Sequence, residues 1–207
     1  MKYFITGATG FIGSWVAQLV TKKGEEVHCL VRRTSNLQWL QELPVHYHYG
    51  TLADPNSLKE AVENADYVLH IAGVTKALSI QDYYQGNVKA TRNLLEVVRE
   101  VNPKLKKFIH VSSQAAIGPS PTSTPIDENS PANPLTDYGR SKLETEQVVR
   151  EFMDILPITI LRPPAVYGQR DTDVFEVFKN IRYGLNLKVG NTDQLVSIIQ
   201  VMDLARG

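Results

Sequence analysis

A chain that must bring its backbone against a ligand needs residues without side chains. Gly7, Gly10 and Gly13 supply three of them, between a short apolar run, Lys2 to Thr6, and a segment of helical period. Glycine admits conformations closed to other residues, and the following helix N-terminus offers free N–H groups to an anion such as a pyrophosphate. The spacing is Gly-x-x-Gly-x-x-Gly, one residue longer between the first pair than the dinucleotide fingerprint. Its place, after a first strand and opening a first helix, is the one such a turn requires. Gly7, Thr9, Gly10, Phe11, Ile12 and Gly13 are therefore candidate cofactor-binding residues.

Short apolar runs and helix-period segments alternate along the rest of the chain, the pattern of an α/β protein with a parallel sheet wrapped by helices. Strands are predicted at Lys2 to Thr6, Glu26 to Val31, Val45 to Tyr49, Asp66 to Ala72, Lys107 to Ser112 and Ile158 to Arg162. Helices are predicted near Gly13 to Lys23, Ser35 to Leu43, Pro55 to Asn64, Ser79 to Val101 and Thr136 to Met153. Gly24 suits a helix C-cap, and Asp54-Pro55 an N-cap with a first-turn proline. With the glycine turn, this predicts a Rossmann-like doubly wound sheet in the order 3-2-1-4-5-6, the glycines sitting at the crevice where the order reverses. The Pro-, Ser- and Thr-rich stretch from Gly118 to Pro134 reads as a long loop, a length that is often functional.

Composition narrows the partners. The 207 residues carry 22 basic and 22 acidic side chains, so no global field draws the chain to nucleic acid or an anionic membrane. A small molecule is the expected partner. The single cysteine, Cys29, falls in a strand pattern and reads as a core residue, with no disulfide framework or thiolate metal site. Met1 leads directly into Lys2 to Thr6, without a leader pattern or a membrane-length apolar run, which reads as cytoplasmic.

Tyr138 and Lys142 stand four residues apart in a predicted helix, a rise of about 6 Å that returns to nearly the same face. A free phenol titrates near 10, so acting near neutral pH needs about 4 kcal/mol of stabilisation for its anion. An ammonium about 5 Å away supplies roughly 3 kcal/mol at an effective dielectric of about 20. The pair thus reads as a general acid, Tyr138, with Lys142 as its activator. A cofactor turn and a proton-transfer pair in one chain point to a redox enzyme.

These segments resemble the extended branch of the short-chain dehydrogenase/reductase family, the NAD(P)-dependent epimerases, dehydratases and reductases. Thr6 to Gly13, Tyr138-Gly139-Arg140-Ser141-Lys142 and Leu161-Arg162-Pro163-Pro164-Ala165-Val166-Tyr167-Gly168 carry the likeness. The resemblance implies an active-site Ser at Ser113, an active-site Asn at Asn87, and backbone passing the cofactor at Ala72 and Gly73. It also implies that Pro163 and Val166 pass the nicotinamide. By the same resemblance, residues 1–168 form the nucleotide-binding domain, and 169–207 begin a small substrate lobe that family members continue well beyond Gly207. The chain accordingly reads as C-terminally truncated. Asp203 is expected to cap the helix that starts there, and the two long helices, Ser79 to Val101 and Thr136 to Met153, through which related enzymes often dimerise, present apolar faces that serve either a dimer or the core.

NAD sites place a carboxylate at the end of the second strand, where it accepts the ribose hydroxyls. Here Val31 is followed by Arg32 and Arg33, and guanidinium groups grip a 2′-phosphate that a carboxylate would repel. NADP is the expected cofactor, with NAD the alternative. Thr51 replaces the Asp that extended members often direct at the adenine, which leaves backbone near Leu52 to hold it. Gln114 and Ala115 follow Ser113 where related 4,6-dehydratases carry an Asp-Glu pair, and Ala115 and Ala116 exclude the Glu of related decarboxylases. Reduction of a ketone or aldehyde, as in the dihydroflavonol-reductase-like group, is the leading expectation. A nucleotide-sugar 4-epimerase and a dinucleotide-binding module without turnover are the alternatives.

The remaining histidines read as structural. His46 and His48 alternate along a predicted strand with no further clustered ligand, so no metal site is expected. His70 and His110 fall in buried-strand patterns and read as hydrogen-bonded core residues. Lys104 to Lys107 is too short a basic run for a nucleic-acid footprint.

Overall fold

The computed structural model describes residues 1–122, 124–185 and 195–207. Strands β1 (Lys2–Thr6), β2 (Glu26–Val31), β3 (Val45–Tyr49), β4 (Tyr67–His70), β5 (Lys107–Val111) and β6 (Ile158–Leu161) form one sheet in the order 3-2-1-4-5-6. Every pairing in it is parallel. The chain runs outward from β1 through β2 to β3, then returns to the other side of β1 with β4. Beyond the carboxyl ends of β1 and β4 this reversal leaves the crevice that doubly wound sheets use for ligands.

Side chains alternate across the sheet, and each face has its own core. Phe4, Val68, Phe108 and Ile158 meet helices α2 (Lys59–Glu63), α4 (Ala90–Val101) and α5 (Asp137–Arg150) through Ala61, Val62, Leu94, Leu95, Val98, Val148 and Val149. On the other face Ile5, Val27, Cys29, Val31 and Leu69 meet helix α1 (Phe11–Lys22) through Ala17, Val16 and Val20. Cys29 is fully buried there, and burial pushes its thiol up to about 12, so it serves as a core residue. The apolar residues of α4 and α5, for which the sequence left dimer face and core both open, lie in the first of these cores.

Local signals explain most boundaries. Thr136 caps α5 by accepting a hydrogen bond from the Gly139 amide at 3.0 Å, and Asp54 caps the turn at Pro55–Leu58 by accepting from Asn56. Ser79 and Asp82 form a capping box at α3 (Ile80–Tyr83). The long helix expected from Ser79 to Val101 is interrupted by a π-helical turn, Tyr84–Lys89, between α3 and α4.

Two expectations fail locally. Ser35 to Leu43 is not a helix but a series of turns, in which the Asn36 side-chain Oδ1 accepts from the Gln38 amide and Ser35 Oγ accepts from the Arg32 amide. Such short polar side chains compete with helical backbone bonds, and the segment contributes Leu40, fully buried against the α1 face. Asp203 is not a cap either. After β6 come β7 (Ala165–Tyr167), α6 (Asp173–Arg182), β8 (Ile198–Gln200) and α7 (Val201–Arg206), and it is Gln200 that accepts from the Met202 amide to start α7. β7 and β8 pair in parallel as a second, two-stranded sheet. Of the expected lobe at 169–207, residues 186–194 lie outside the described residues. Among the described residues no helix is long and apolar enough to cross a membrane.

Candidate active site

The glycine turn is closed by its own backbone. Gly7 has φ +75°, and a Cβ on it would lie 2.6 Å from the Ala72 nitrogen; a Cβ on Gly13 would lie 2.1 Å from the Gly7 carbonyl oxygen. Both contacts are with backbone and cannot yield, so the turn packs only as glycine. Gly10 sits at the N-cap of α1 with no side-chain cap, which leaves the first amides of a twelve-residue helix pointing at the crevice for an anion.

The crevice itself is a cleft of about 820 Å³ lined by Gly7, Thr9, Gly10, Phe11, Ile12 and Gly13, by Ala72 and Gly73 after β4, by Leu52 after β3 and by Arg32 after β2. Arg33 is not in the lining; its guanidinium lies 5.7 Å from the centre of the Tyr49 ring. Ser35 is, and its hydroxyl accepts from the Arg32 amide at 3.0 Å. Val31 is buried at the end of β2, so no carboxylate stands at that strand end.

A smaller pocket of about 150 Å³ holds Ser113, Tyr138, Lys142, Pro163 and Val166 and shares Ile12, Ile71, Gly73 and Thr75 with the cleft. The carboxyl end of β5 supplies Ser113, and one helix, α5, supplies both Tyr138 and Lys142. Burial raises the Tyr138 phenol above its ordinary value, the Ser113 hydroxyl beside it acts in the opposite direction, and Tyr83 raises it further. Lys142 is 4% exposed and donates to the Val111 carbonyl at 2.9 Å. Burial brings its ammonium down to about 8, with Glu146 opposing. The lysine thus reaches the pocket, where its ammonium donates to a backbone carbonyl at the end of β5.

Asn87 lines neither pocket. Within the π-helical turn its amide donates to the Val74 carbonyl at 3.0 Å and to Ser141 Oγ at 2.9 Å, and its Oδ1 accepts from the Val74 amide at 2.7 Å. It ties the segment after β4 to α5. A Cβ on Gly73 would stand 3.3 Å from Asn87 Oδ1 and 3.8 Å from Lys142 Nζ, so a bare backbone at Gly73 lets these groups approach.

Several residues of the site carried no signal in the sequence. Asp171, Thr172 and Asp173 line the far wall of the cleft. They are positioned by Arg170, at φ 75°, whose guanidinium sits 4.0 Å from the centre of Trp15 and 4.8 Å from that of Trp39 and donates to Ser14 and Gln18. Partners 152 and 156 positions away, as Gln18 and Ser14 are from Arg170, leave no local pattern. Of the core histidines, His70 is bonded as expected, to Thr6 Oγ1 at 2.7 Å and Thr91 Oγ1 at 2.8 Å. His110 is not: fully buried beside it, it finds no hydrogen-bond partner among the described residues for either ring nitrogen. Nor are His46 and His48 without neighbouring ligands, because β2 brings Glu26 and His28 against them.

The chain is similar to several known proteins. The chain is 32% identical over 176 residues to sterol demethylase protein B of Methylococcus capsulatus, covering 83% of the chain and 53% of that protein. It is 31% identical over 201 residues to ceramide reductase of Caulobacter vibrioides, covering 97% and 57% respectively. The chain therefore spans somewhat more than half the length of these curated relatives. Its fold matches the crystal structure of UDP-glucuronic acid 4-epimerase from Bacillus cereus in complex with NAD at a TM-score of 0.83 and 27% identity, covering 100% of this chain and 72% of that one. The model of the NAD dependent epimerase/dehydratase family matches residues 3–207, and the chain belongs to that family.

Proposed function

We propose that this chain is the nucleotide-binding part of an NADP(H)-dependent oxidoreductase that reduces a ketone or aldehyde, or oxidises the corresponding alcohol. The observation that carries this reading is the continuity of the two pockets. The cleft that begins at the glycine turn and at Arg32 opens, through Gly73 and Thr75, onto Ser113, Tyr138 and Lys142. The residues fit a dinucleotide: a turn too tight for a Cβ at Gly7 or Gly13, an uncapped helix N-terminus for the pyrophosphate, and Arg32 with Ser35 for a 2′-phosphate.

Hydride transfer is the chemistry that the dinucleotide supplies when bound. The chain's own part is the proton. Ser113 donates a hydrogen bond to the carbonyl oxygen, and Tyr138 gives that oxygen its proton as the carbon is reduced. A phenol raised by burial is protonated at neutral pH, the form a general acid needs. Lys142, released from the Val111 carbonyl, offers a positive charge to the phenolate that remains. Oxidation of the alcohol runs the same proton in reverse. Asn87 positions the backbone from Gly73 to Val74 along the wall of the site.

A nucleotide-sugar 4-epimerase is the second reading, favoured by the NAD-bound epimerase structure at 27% identity. The absence of a carboxylate at the end of β2 weighs toward the reductase. Titrating the chain with NADPH and NADH, then following NADPH oxidation over a panel of ketones, aldehydes and nucleotide sugars, separates the two. Tighter NADPH binding with ketone-dependent oxidation is expected. Dinucleotide binding without turnover on any member of the panel would leave a binding module.

A further inference from the structure

We propose that Glu26, His28 and His46 form a binding site for a divalent transition-metal ion of the zinc type, away from the dinucleotide cleft. Three features of the sheet carry this. His28 of β2 and His46 of β3 are direct partners in the parallel register, so their side chains leave the same face of the sheet side by side, with ring centres 4.7 Å apart. Glu26 lies two residues before His28 on that same face. One ligand atom from each of the three falls within 4.8 Å of the other two. An ion at about 2.0–2.2 Å from each donor needs only a small movement of the exposed Glu26 carboxylate and His46 ring to close.

The pattern around these atoms is that of a prepared ligand. His28 is buried and held at both nitrogens, its Nδ1 2.6 Å from His48 Nε2 and its Nε2 2.5 Å from Glu26 Oε1. Metal-bound imidazoles take this form, with one nitrogen engaged by a neighbouring acceptor that fixes the tautomer while the other faces the ion. Here Glu26 Oε1 accepts from His28 Nε2–H, and an ion that takes the place of that proton shifts the ring to its Nδ1–H form, for which His48 Nε2 is the acceptor. Two imidazoles and a carboxylate, with a position open to water, make a donor set suited to zinc and its neighbours rather than to calcium or magnesium. β3 is the edge strand of the sheet, so the ion would cross-link it to β2. The two strands end at Val31 and Tyr49 and lead into Arg32 and Leu52, both in the wall of the cleft.

The site is tested on tag-free, chelator-stripped chain by calorimetric titration with zinc and by the visible absorption of added cobalt(II). One saturable zinc ion per chain is expected, with a rise in thermal midpoint and cobalt absorption of a four- or five-coordinate nitrogen and oxygen site. His46→Ala and Glu26→Ala, both at exposed side chains, should each weaken zinc at least tenfold while circular dichroism shows the fold retained. His48→Gln should weaken it less. Absence of saturable binding, or binding left unchanged by His46→Ala and Glu26→Ala, would overturn the proposal.

Discussion

Arg162 at the end of β6 grips the carboxylate of Glu146 in α5 from two directions, with Nε 2.9 Å from Oε1 and Nη2 2.7 Å from Oε2. Glu146 is 1% exposed and also accepts from Ser112 Oγ at 2.6 Å. The pair joins the helix that carries Tyr138 and Lys142 to the strand ends that carry Ser113 and Pro163, so it fixes one wall of the site against the other. Glu146 stands one helical turn beyond Lys142 and is the charge that opposes the fall of its pKa.

Breaking one side of such a buried pair leaves the other charge uncompensated. Glu146→Ala should cost about 3–5 kcal/mol of stability, measured by denaturant unfolding. Glu146→Gln keeps the shape and isolates the charge. Burial already brings Lys142 to about 8, so a rate that needs the ammonium falls as pH rises through about 8. Without the Glu146 carboxylate the pKa drops further, and the fall should begin at lower pH. A pH–rate profile of the active enzyme that stays in place with Glu146→Gln would separate the pair from the lysine.

Only one of the two arginines after β2 faces the cleft. Arg32→Ala should therefore weaken NADPH binding by about 1.5–3 kcal/mol, the range for a hydrogen bond to a charged group, and leave NADH nearly unchanged. Arg33→Ala, at the side chain resting over Tyr49, should have a smaller effect. Fluorescence titration of both variants with both cofactors checks this, and an equal loss for NADPH and NADH would show that Arg32 does not read the 2′-phosphate.

Replacing Tyr138 by Phe removes the hydroxyl beside Ser113 and keeps the ring beside Tyr83. Tyr138→Phe should lower turnover of the active enzyme by about 10²- to 10⁴-fold, the usual worth of a positioned general acid, with dinucleotide affinity retained at the glycine turn. Near-normal reduction by this variant would rule Tyr138 out as the proton donor.

Two buried histidines make the fold sensitive to mild acid. Burial takes His70 down to about 3 and holds His110 well below the ordinary histidine value, the nearby Lys142 adding to both. Each is neutral in the folded chain and titrates near 6.5 once unfolded. As pH falls below about 6.5 the unfolded state binds protons that the folded state refuses, so stability is full above that pH. It is lost by about 1.4 kcal/mol per pH unit for each histidine, down toward pH 3 for His70. Unfolding free energies at pH 7, 6 and 5 should show this slope, and His110→Leu should reduce it. A profile flat across this range would contradict the burial of both rings.

The strands and the glycine turn were legible because they rest on local chemistry, apolar runs of strand length and glycines where a side chain has no room, and the strand order followed from the doubly wound topology that the alternation and the turn together imply. Lys2–Thr6, Glu26–Val31 and Val45–Tyr49 appear with the boundaries their patterns suggest. The segment at Ser35 to Leu43 misled because apolar residues at helical spacing were read as a helix, although Ser35 and Asn36 bond to backbone instead. The π-helical turn around Asn87 left no trace in the pattern, since one widened turn barely shifts a helical period.

Taken alone, the sequence determined which residue types were available for chemistry: the glycines at 7, 10 and 13, the Tyr138–Lys142 spacing, Ser113, and the missing carboxylate after β2. Tertiary structure decided which of them meet. It turned Arg32 into the cleft and Arg33 away, set Asn87 behind Gly73 rather than in the pocket, seated Arg170 between Trp15 and Trp39, and placed Glu26 and His28 against His46 and His48. Periodicity reports the face of a single element, whereas these contacts depend on the register and packing of elements distant in the chain, which no local pattern encodes.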